Sequence, residues 1–403
     1  MSYKKSVPSL RFKQFKNLWE RKVFGSGVEP YIERVDSSTD LPVYSSSRAG
    51  LLAQESYFSN RRVTNEGEYG IVPYGYFVYR HMSDDLTFMF NINDVSPKIA
   101  VSKEYPVFCV RDWDARFIRY KLNYSNDFKK FAATQKLGGT RTRLYFKNLC
   151  LWETLIPNIR EQQKIADFLS AVDEKITLLK EKYALLQQYK KGVVQKLFSQ
   201  ENRFKDDDGQ AFPDWIELPF AECFERVTRK NKIDNRNVLT ISAQHGLINQ
   251  EKYFNKSVAA ANLTGYYLLD KGEFAYNKSY SKGYPMGAIK RLNNYDLGVV
   301  STLYICFKSK HEQIDEFWEQ FFEGGMLNRQ ISKIAQEGAR NHGLLNISVT
   351  EFFEDIKVMV PSIEEQRKIA NFLQALDKKL DAVQQQIDLT QTFKKGLLQQ
   401  MFV

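Results

Sequence analysis

Cysteine is scarce in this chain, and what there is lies scattered. Cys109, Cys150, Cys223 and Cys306 form no C-x-x-C pair, so they read as reduced, buried thiols and neither a disulfide framework nor a zinc site is expected. The four histidines, His81, His245, His311 and His342, sit in unrelated settings, with no Gly-x-Ser-x-Gly elbow and no H-E-x-x-H. No G-x-x-x-x-G-K-[ST] is present, Gly25-Ser-Gly27 is an isolated turn, and no Asn/Asp-Pro-Pro-aromatic tetrapeptide occurs. No apolar run reaches the roughly 18 residues of a membrane span. The opening MSYKKSVPSLRF lacks the apolar core of a secretion signal. Together these absences lead us to expect a cytoplasmic protein that does no chemistry itself and carries no cofactor or metal of its own.

What is present describes a large folded protein. At 403 residues, with 43% hydrophobic and 26% charged, the chain exceeds one ordinary core, so two or more domains are expected. The formal charge of +10 favours a polyanionic partner, and the abundant Tyr and Phe serve either cores or stacking surfaces.

One long stretch is written twice. Ile156–Phe198 and Val360–Phe402 align without a gap and are identical at nearly half their positions, among them Pro157/Pro361, Glu161/Glu365, Gln162/Gln366, Asp173/Asp377 and Gly192/Gly396. The duplication extends upstream. Arg11-Phe12-Lys13 returns as Arg203-Phe204-Lys205, Trp19 as Trp215, and Gly50, Gln54, Glu55, Tyr57 and Phe58 as Gly246, Gln250, Glu251, Tyr253 and Phe254. The whole chain is therefore a tandem repeat of about 200 residues. Strand candidates pair as Gly75–Tyr79 with Gly272–Tyr276 and Val107–Val110 with Leu303–Phe307, and Asp127–Leu137 and Ile314–Gln336 have helical periodicity. The loops differ: YRHMSDDLTFM in the first half stands opposite NKSYSKGYPMG in the second. Two readings of that contrast stand, surface drift and two modules with different targets.

In each long copy, apolar residues step by threes and fours. Ile165, Phe168/Leu169, Val172, Ile176, Leu179, Tyr183, Leu186 and Tyr189 form the first seam; Ile369, Phe372/Leu373, Leu376, Leu380, Val383, Ile387 and Phe393 form the second. These narrow stripes are coiled-coil seams that need a partner, and the nearest is the other copy, lying antiparallel. A parallel coiled coil between two chains is the alternative. Gly192 and Gly396 fall inside the pattern and read as kinks or close-packing points.

Basic residues interleaved with hydrogen-bonding ones suit contacts to phosphates and base edges. Gly138-Gly-Thr-Arg-Thr-Arg143 and Gly338-Ala-Arg-Asn-His-Gly343 occupy matching places before the strand that enters each long helix. From these loops and their counterparts, the candidate DNA-binding residues are Ser46, Arg48, Arg80, Thr140, Arg141 and Arg143 in the first half, and Gln244, His245, Lys278, Tyr280, Lys282, Arg340, Asn341 and His342 in the second.

At these residues, and above all at P-x-I-x-E-Q-x-K-I-A-x-F-L-x-x-x-D (Pro157–Asp173 and Pro361–Asp377), the chain resembles the DNA-specificity subunits of type I restriction-modification systems. Ile-Pro-Asn and Val-Pro-Ser stand where that family often has a longer Pro-rich link. The resemblance implies an α+β fold, a tandem duplication of two mixed α/β target-recognition domains joined by two long antiparallel coiled-coil helices with pseudo-twofold symmetry. The expected boundaries are 1–155 and 201–358 for the recognition domains and 156–200 and 359–403 for the helices. It also implies double-stranded DNA as a partner, read as a split target. Two modification (methyltransferase) subunits carrying S-adenosylmethionine and two restriction (translocase/endonuclease) subunits using ATP and Mg2+ would complete the assembly. A coiled-coil interaction protein without a DNA role is the competing reading.

Overall fold

The computed structural model describes residues 7–54, 67–136, 140–254, 262–310, 313–335 and 345–402. The chain forms two compact units: residues 1–180 with 385–403, and residues 181–384. Each takes the first part of one long helix and the last part of the other.

The reason lies in the seams. In the first unit Ile165, Leu169, Val172 and Ile176 share one core with Leu397, Leu398, Met401 and Phe402. In the second, Val194, Leu197 and Phe198 share a core with Ile369, Leu373 and Leu376. The helices run Ile159–Phe198 and Ile363–Gln400, about 60 and 57 Å long. Within each unit the two segments are antiparallel. In the first, Phe402 packs on Phe117 at 5.6 Å beside the helix start, while Lys394 meets Asp173 further along, at 2.5 Å. In the second, Phe198 packs on Phe317 at 5.4 Å and Lys190 meets Asp377 at 2.5 Å.

Two expectations about the helices need correction. Tyr189 and Phe393, placed in the seams by their spacing, are more than half exposed. The glycines at 192 and 396 are not close-packing points, because an added Cβ at either would meet nothing within 4 Å. Lys190 and Lys394, each the first lysine of the Lys-Lys-Gly near the end of its helix, are the residues that pair with Asp377 and Asp173.

Both units carry the same antiparallel four-stranded sheet. Its order is Val28–Pro30, Val107–Val110, Phe77–Tyr79, Phe90–Ile92 in the first, and Phe224–Arg226, Ile305–Ser309, Phe274–Asn277, Ala288–Arg291 in the second. Equivalent rings stack in both, Phe77 on Phe108 at 4.8 Å and Phe274 on Phe307 at 5.4 Å. The strand that enters each long helix pairs with one near the start of its half, Glu153–Ile156 with Glu20–Val23 and Lys357–Val360 with Ile216–Pro219.

The helical stretches are Asn126–Thr134, and Asp315–Glu323 followed by Asn328–Ile334. Ala115–Tyr124 is a further helix, capped by the Asp114 carboxylate accepting from Phe117 N–H. Its arginines are engaged: Arg116 pairs with Asp114 and Asp167, and Arg119 lies over the Tyr120 ring.

Candidate nucleic-acid interface

Each sheet domain is fixed to its long helix by the same four side chains. Asn158 caps the first long helix through a bond from Glu161 N–H (3.0 Å), and Ser362 caps the second through Glu365 N–H (3.3 Å). Ser362-x-x-Glu365 has the spacing of a capping box, in which the glutamate would reach back to the cap's N–H. Here it turns away. Glu161 is fully buried and accepts from Arg11 at 2.6 and 2.7 Å and from the Trp19 indole at 3.2 Å. Glu365, equally buried, accepts from Arg203 at 3.1 and 2.8 Å and from Trp215 at 3.0 Å. The adjoining glutamine bridges two more backbone groups. Gln162 accepts from Asp114 N–H at 2.9 Å and donates to Pro157 O at 2.8 Å, and Gln366 does so with Ile314 and Pro361 at 3.1 and 3.0 Å. The recurrent Arg, Trp, Glu and Gln thus form one lock that ties the domain to its helix.

In the first unit the loop residues converge. Met82–Ser83 pairs with Thr142–Arg143 as a two-stranded ribbon, in the register Thr142↔Ser83 and Arg143↔Met82. Leu144 N–H closes its base on His81 O at 2.8 Å. Beyond the ribbon, Arg141 Nε donates to Asp84 Oδ1 at 2.9 Å, and Arg48, on the Tyr44–Ala53 hairpin turn, donates to Asp85 at 2.5 Å. Asp85 also accepts from Thr87 N–H and the Ser83 hydroxyl. These hydrogen bonds, the Thr87 N–H foremost, pull its carboxyl down to about 2. Leu86 next to it has φ 65, the left-handed backbone that closes the loop. Thr140 and Arg141 are exposed, as are Arg80 and Arg143, and the last two carry no ion pair among the described residues. Ser46 does not join them. It is buried, donating to Val78 O at 3.3 Å and accepting from Asn91 at 2.9 Å, so its hydroxyl serves the sheet.

The equivalent place in the second unit has different chemistry. Gln244 and His245 are exposed at the tip of the Leu239–Asn249 hairpin, where His245 N–H donates to Ser242 Oγ at 3.2 Å. Gln244 shares a cavity of about 310 Å³ with Asn277, Tyr280 and Lys282. The loop bearing Tyr280 and Lys282 depends on Gly287, whose φ is +79 and whose Cβ would lie 2.3 Å from Asn277 O. Leu345 N–H bonds to Lys278 O at 2.9 Å, matching the Leu144–His81 bond. Lys278 is half-buried and Lys282 exposed, and among the described residues neither has an acidic partner. Arg340, Asn341 and His342 lie outside the described residues. Two other basic residues of this half are already engaged: Arg229 binds Asp270 and Glu273, and Lys230 binds Gly265 O over the Tyr267 ring.

The sequence model described as type I restriction modification DNA specificity domain matches residues 63–188 and again 226–391, well over half the chain. The chain belongs to this family. It is also 26% identical, over 105 residues, to the type I restriction enzyme MjaVIII specificity subunit of Methanocaldococcus jannaschii; that stretch is 26% of this chain and 23% of the relative. Among solved structures, the S subunit of a type I restriction-modification system from M. genitalium is similar at a TM-score of 0.54 and 15% identity, covering 98% of this chain and 99% of that one. A structure titled for complex assembly and conformational transition of the type I R-M system is similar at a TM-score of 0.53 and 12% identity, covering 94% and 96%. These two likenesses show the fold.

Specificity subunits of this family are non-catalytic, so the missing nucleophile and phosphate motifs accord with membership. Among the described residues no cluster of three or more His, Cys, Asp or Glu could hold a metal, and no helix is long and apolar enough to cross a membrane. Sequence reasoning missed Asp84 and Asp85, which neutralise the arginines beside them. Their only signal was Ser-Asp-Asp standing in the loop opposite Ser-Tyr-Ser-Lys of the second half.

Proposed function

We propose that this chain is the DNA-reading subunit of a cytoplasmic type I restriction-modification complex. It recognises a bipartite double-stranded target through domains 1–155 and 201–358, and segments 156–200 and 359–403 space them. One observation carries the reading. The same scaffold is built twice, and the loops at equivalent places on it carry different side chains: Arg48, Arg80, Arg141 and Arg143 with Asp84 and Asp85 in one unit, Gln244, His245, Lys278, Tyr280 and Lys282 in the other. A kept frame with dissimilar tips suits two heads reading different words. Arg340, Asn341 and His342 belong to the second head by sequence position.

The helices also offer seats for partners. Leu185 and Tyr189 on the first, and their equivalents Leu389 and Phe393 on the second, are more than half exposed and one turn apart. Apolar pairs repeated at matching positions suit two copies of one modification subunit. S-adenosylmethionine is assigned to those subunits, and ATP and Mg2+ to two restriction subunits.

The test is methylome sequencing of a host carrying this chain and its modification partner. The expected result is a split motif, with no methylation when this chain is expressed alone. Methyl transfer by the isolated chain, or a single uninterrupted motif, would refute the proposal.

A further inference from the structure

The two aspartate-paired arginines of the first head, Arg141 and Arg48, are held in different ways, and the difference bears on which base is read. By the register of the ribbon, Arg141 stands directly across from Asp84, one rung beyond Thr142↔Ser83. Its bond to Asp84 uses Nε, at 2.9 Å, and its two terminal amino groups make no bond to any described residue. Arg48 is instead held through a terminal amino group, NH2, by Asp85. The distinction matters because a guanidinium reads a base edge with a pair of donors. Anchored at Nε, Arg141 keeps its end-on fork whole; anchored at NH2, Arg48 has its fork divided.

Guanine is the base that shows two acceptors, O6 and N7, side by side in the major groove, and a two-stranded ribbon is narrow enough to enter that groove. Asp84 and Arg141 are both more than half exposed, so the fork is accessible. Resting on the proposed DNA-reading role, we propose that Arg141 reads one guanine of the first half-site through both terminal amino groups, with Asp84 as the residue that positions it. Asp84 fixes the guanidinium plane before DNA arrives and spares the rotamer entropy of ordering a long side chain at binding. Its negative charge also disfavours a phosphate beside Arg141, which turns the arginine from backbone contact to base contact.

The experiment is methylome sequencing of the full complex carrying Arg141→Lys, Asp84→Ala or Asp84→Asn. Lysine keeps the charge but has no planar fork, so Arg141→Lys is expected to lower the preference for guanine at one position of one half-site by roughly ten- to a hundredfold. The other half-site should be unchanged, which also reports that the complex is folded. Asp84→Ala should relax the same position to a lesser degree. Asp84→Asn should restore guanine, because the amide oxygen still accepts from Nε. An unchanged word in Arg141→Lys, or a relaxed position that was not guanine, overturns the assignment while leaving the DNA-reading role intact. Relaxation in Asp84→Asn as great as in Asp84→Ala overturns the positioning role. Absence of a split motif in the wild-type complex sinks the functional reading itself.

Discussion

Replacing Glu365 by alanine isolates what the repeated lock contributes. The carboxylate is fully buried and is the common acceptor for two Arg203 bonds and the Trp215 indole, so its loss leaves the indole N–H without that acceptor and leaves Arg203 only Asp214 and the Phe212 and Pro213 carbonyls. Breaking a buried pair by deleting one partner costs about 3–5 kcal/mol. The Arg203 side chain is 22% exposed, so water recovers part of that and the lower end, about 3 kcal/mol, is expected. For a unit of this size each kcal/mol moves the midpoint by roughly 2–4 °C, so thermal unfolding of the second unit should fall by about 6–12 °C. Hydrogen exchange gives the location: amides of residues 203–219 and the first turns of the second long helix should lose protection, while those around Glu161 keep theirs. Converting both partners to apolar residues (Glu365→Leu with Arg203→Met) should cost much less than Glu365→Ala, because no charge is left behind. A loss below about 1 kcal/mol, or equal deprotection of both units, would refute the idea that this buried charge locks its own head to its own helix.

Lys121 is fully buried, 3.2 Å from Asp127 and close to the rings of Trp19, Trp152 and Phe402. Burial holds its pKa below the usual lysine value, so between the two values the unfolded chain keeps a proton that the folded one sheds, and stability should rise with pH there. Lys121→Met should abolish that rise in denaturant titrations between neutral and alkaline pH. Leu185→Glu together with Leu389→Glu should prevent co-purification of modification subunits while shifting stability by no more than about 0.5 kcal/mol, since both side chains are mostly exposed. Ser46→Ala should lower stability by about 1 kcal/mol and leave the methylated word unchanged, because its hydroxyl bonds only within the sheet. If Lys282 meets a phosphate, Lys282→Ala should reduce the slope of log affinity against log salt by about one, measured by anisotropy on target DNA.

The sequence by itself determined the plan of this protein. Duplication is visible as identity, and a seam of apolar residues at helical spacing dictates a long helix wherever it occurs, because both depend on the order of residues along one segment. The same holds for the strands Phe77–Tyr79 and Val107–Val110 and for the missing catalytic signatures.

Tertiary structure decided which polar residues are free. Nothing local distinguishes Ser46, whose hydroxyl is spent inside a sheet, from a surface serine, or Arg116, held by Asp167 of the long helix, from a phosphate-binding arginine. Glu161 lies in the first turn of its helix, yet it is the buried anchor of Arg11 and Trp19, 150 and 142 residues away. Tyr189 and Phe393 fit the seam by spacing, yet the antiparallel partner leaves them uncovered. Arg141 and Asp84 face each other only because the ribbon register brings them there. Helical period and repeat are properties of one stretch of chain, whereas burial, pairing and the direction of an arginine depend on what a distant stretch places opposite it.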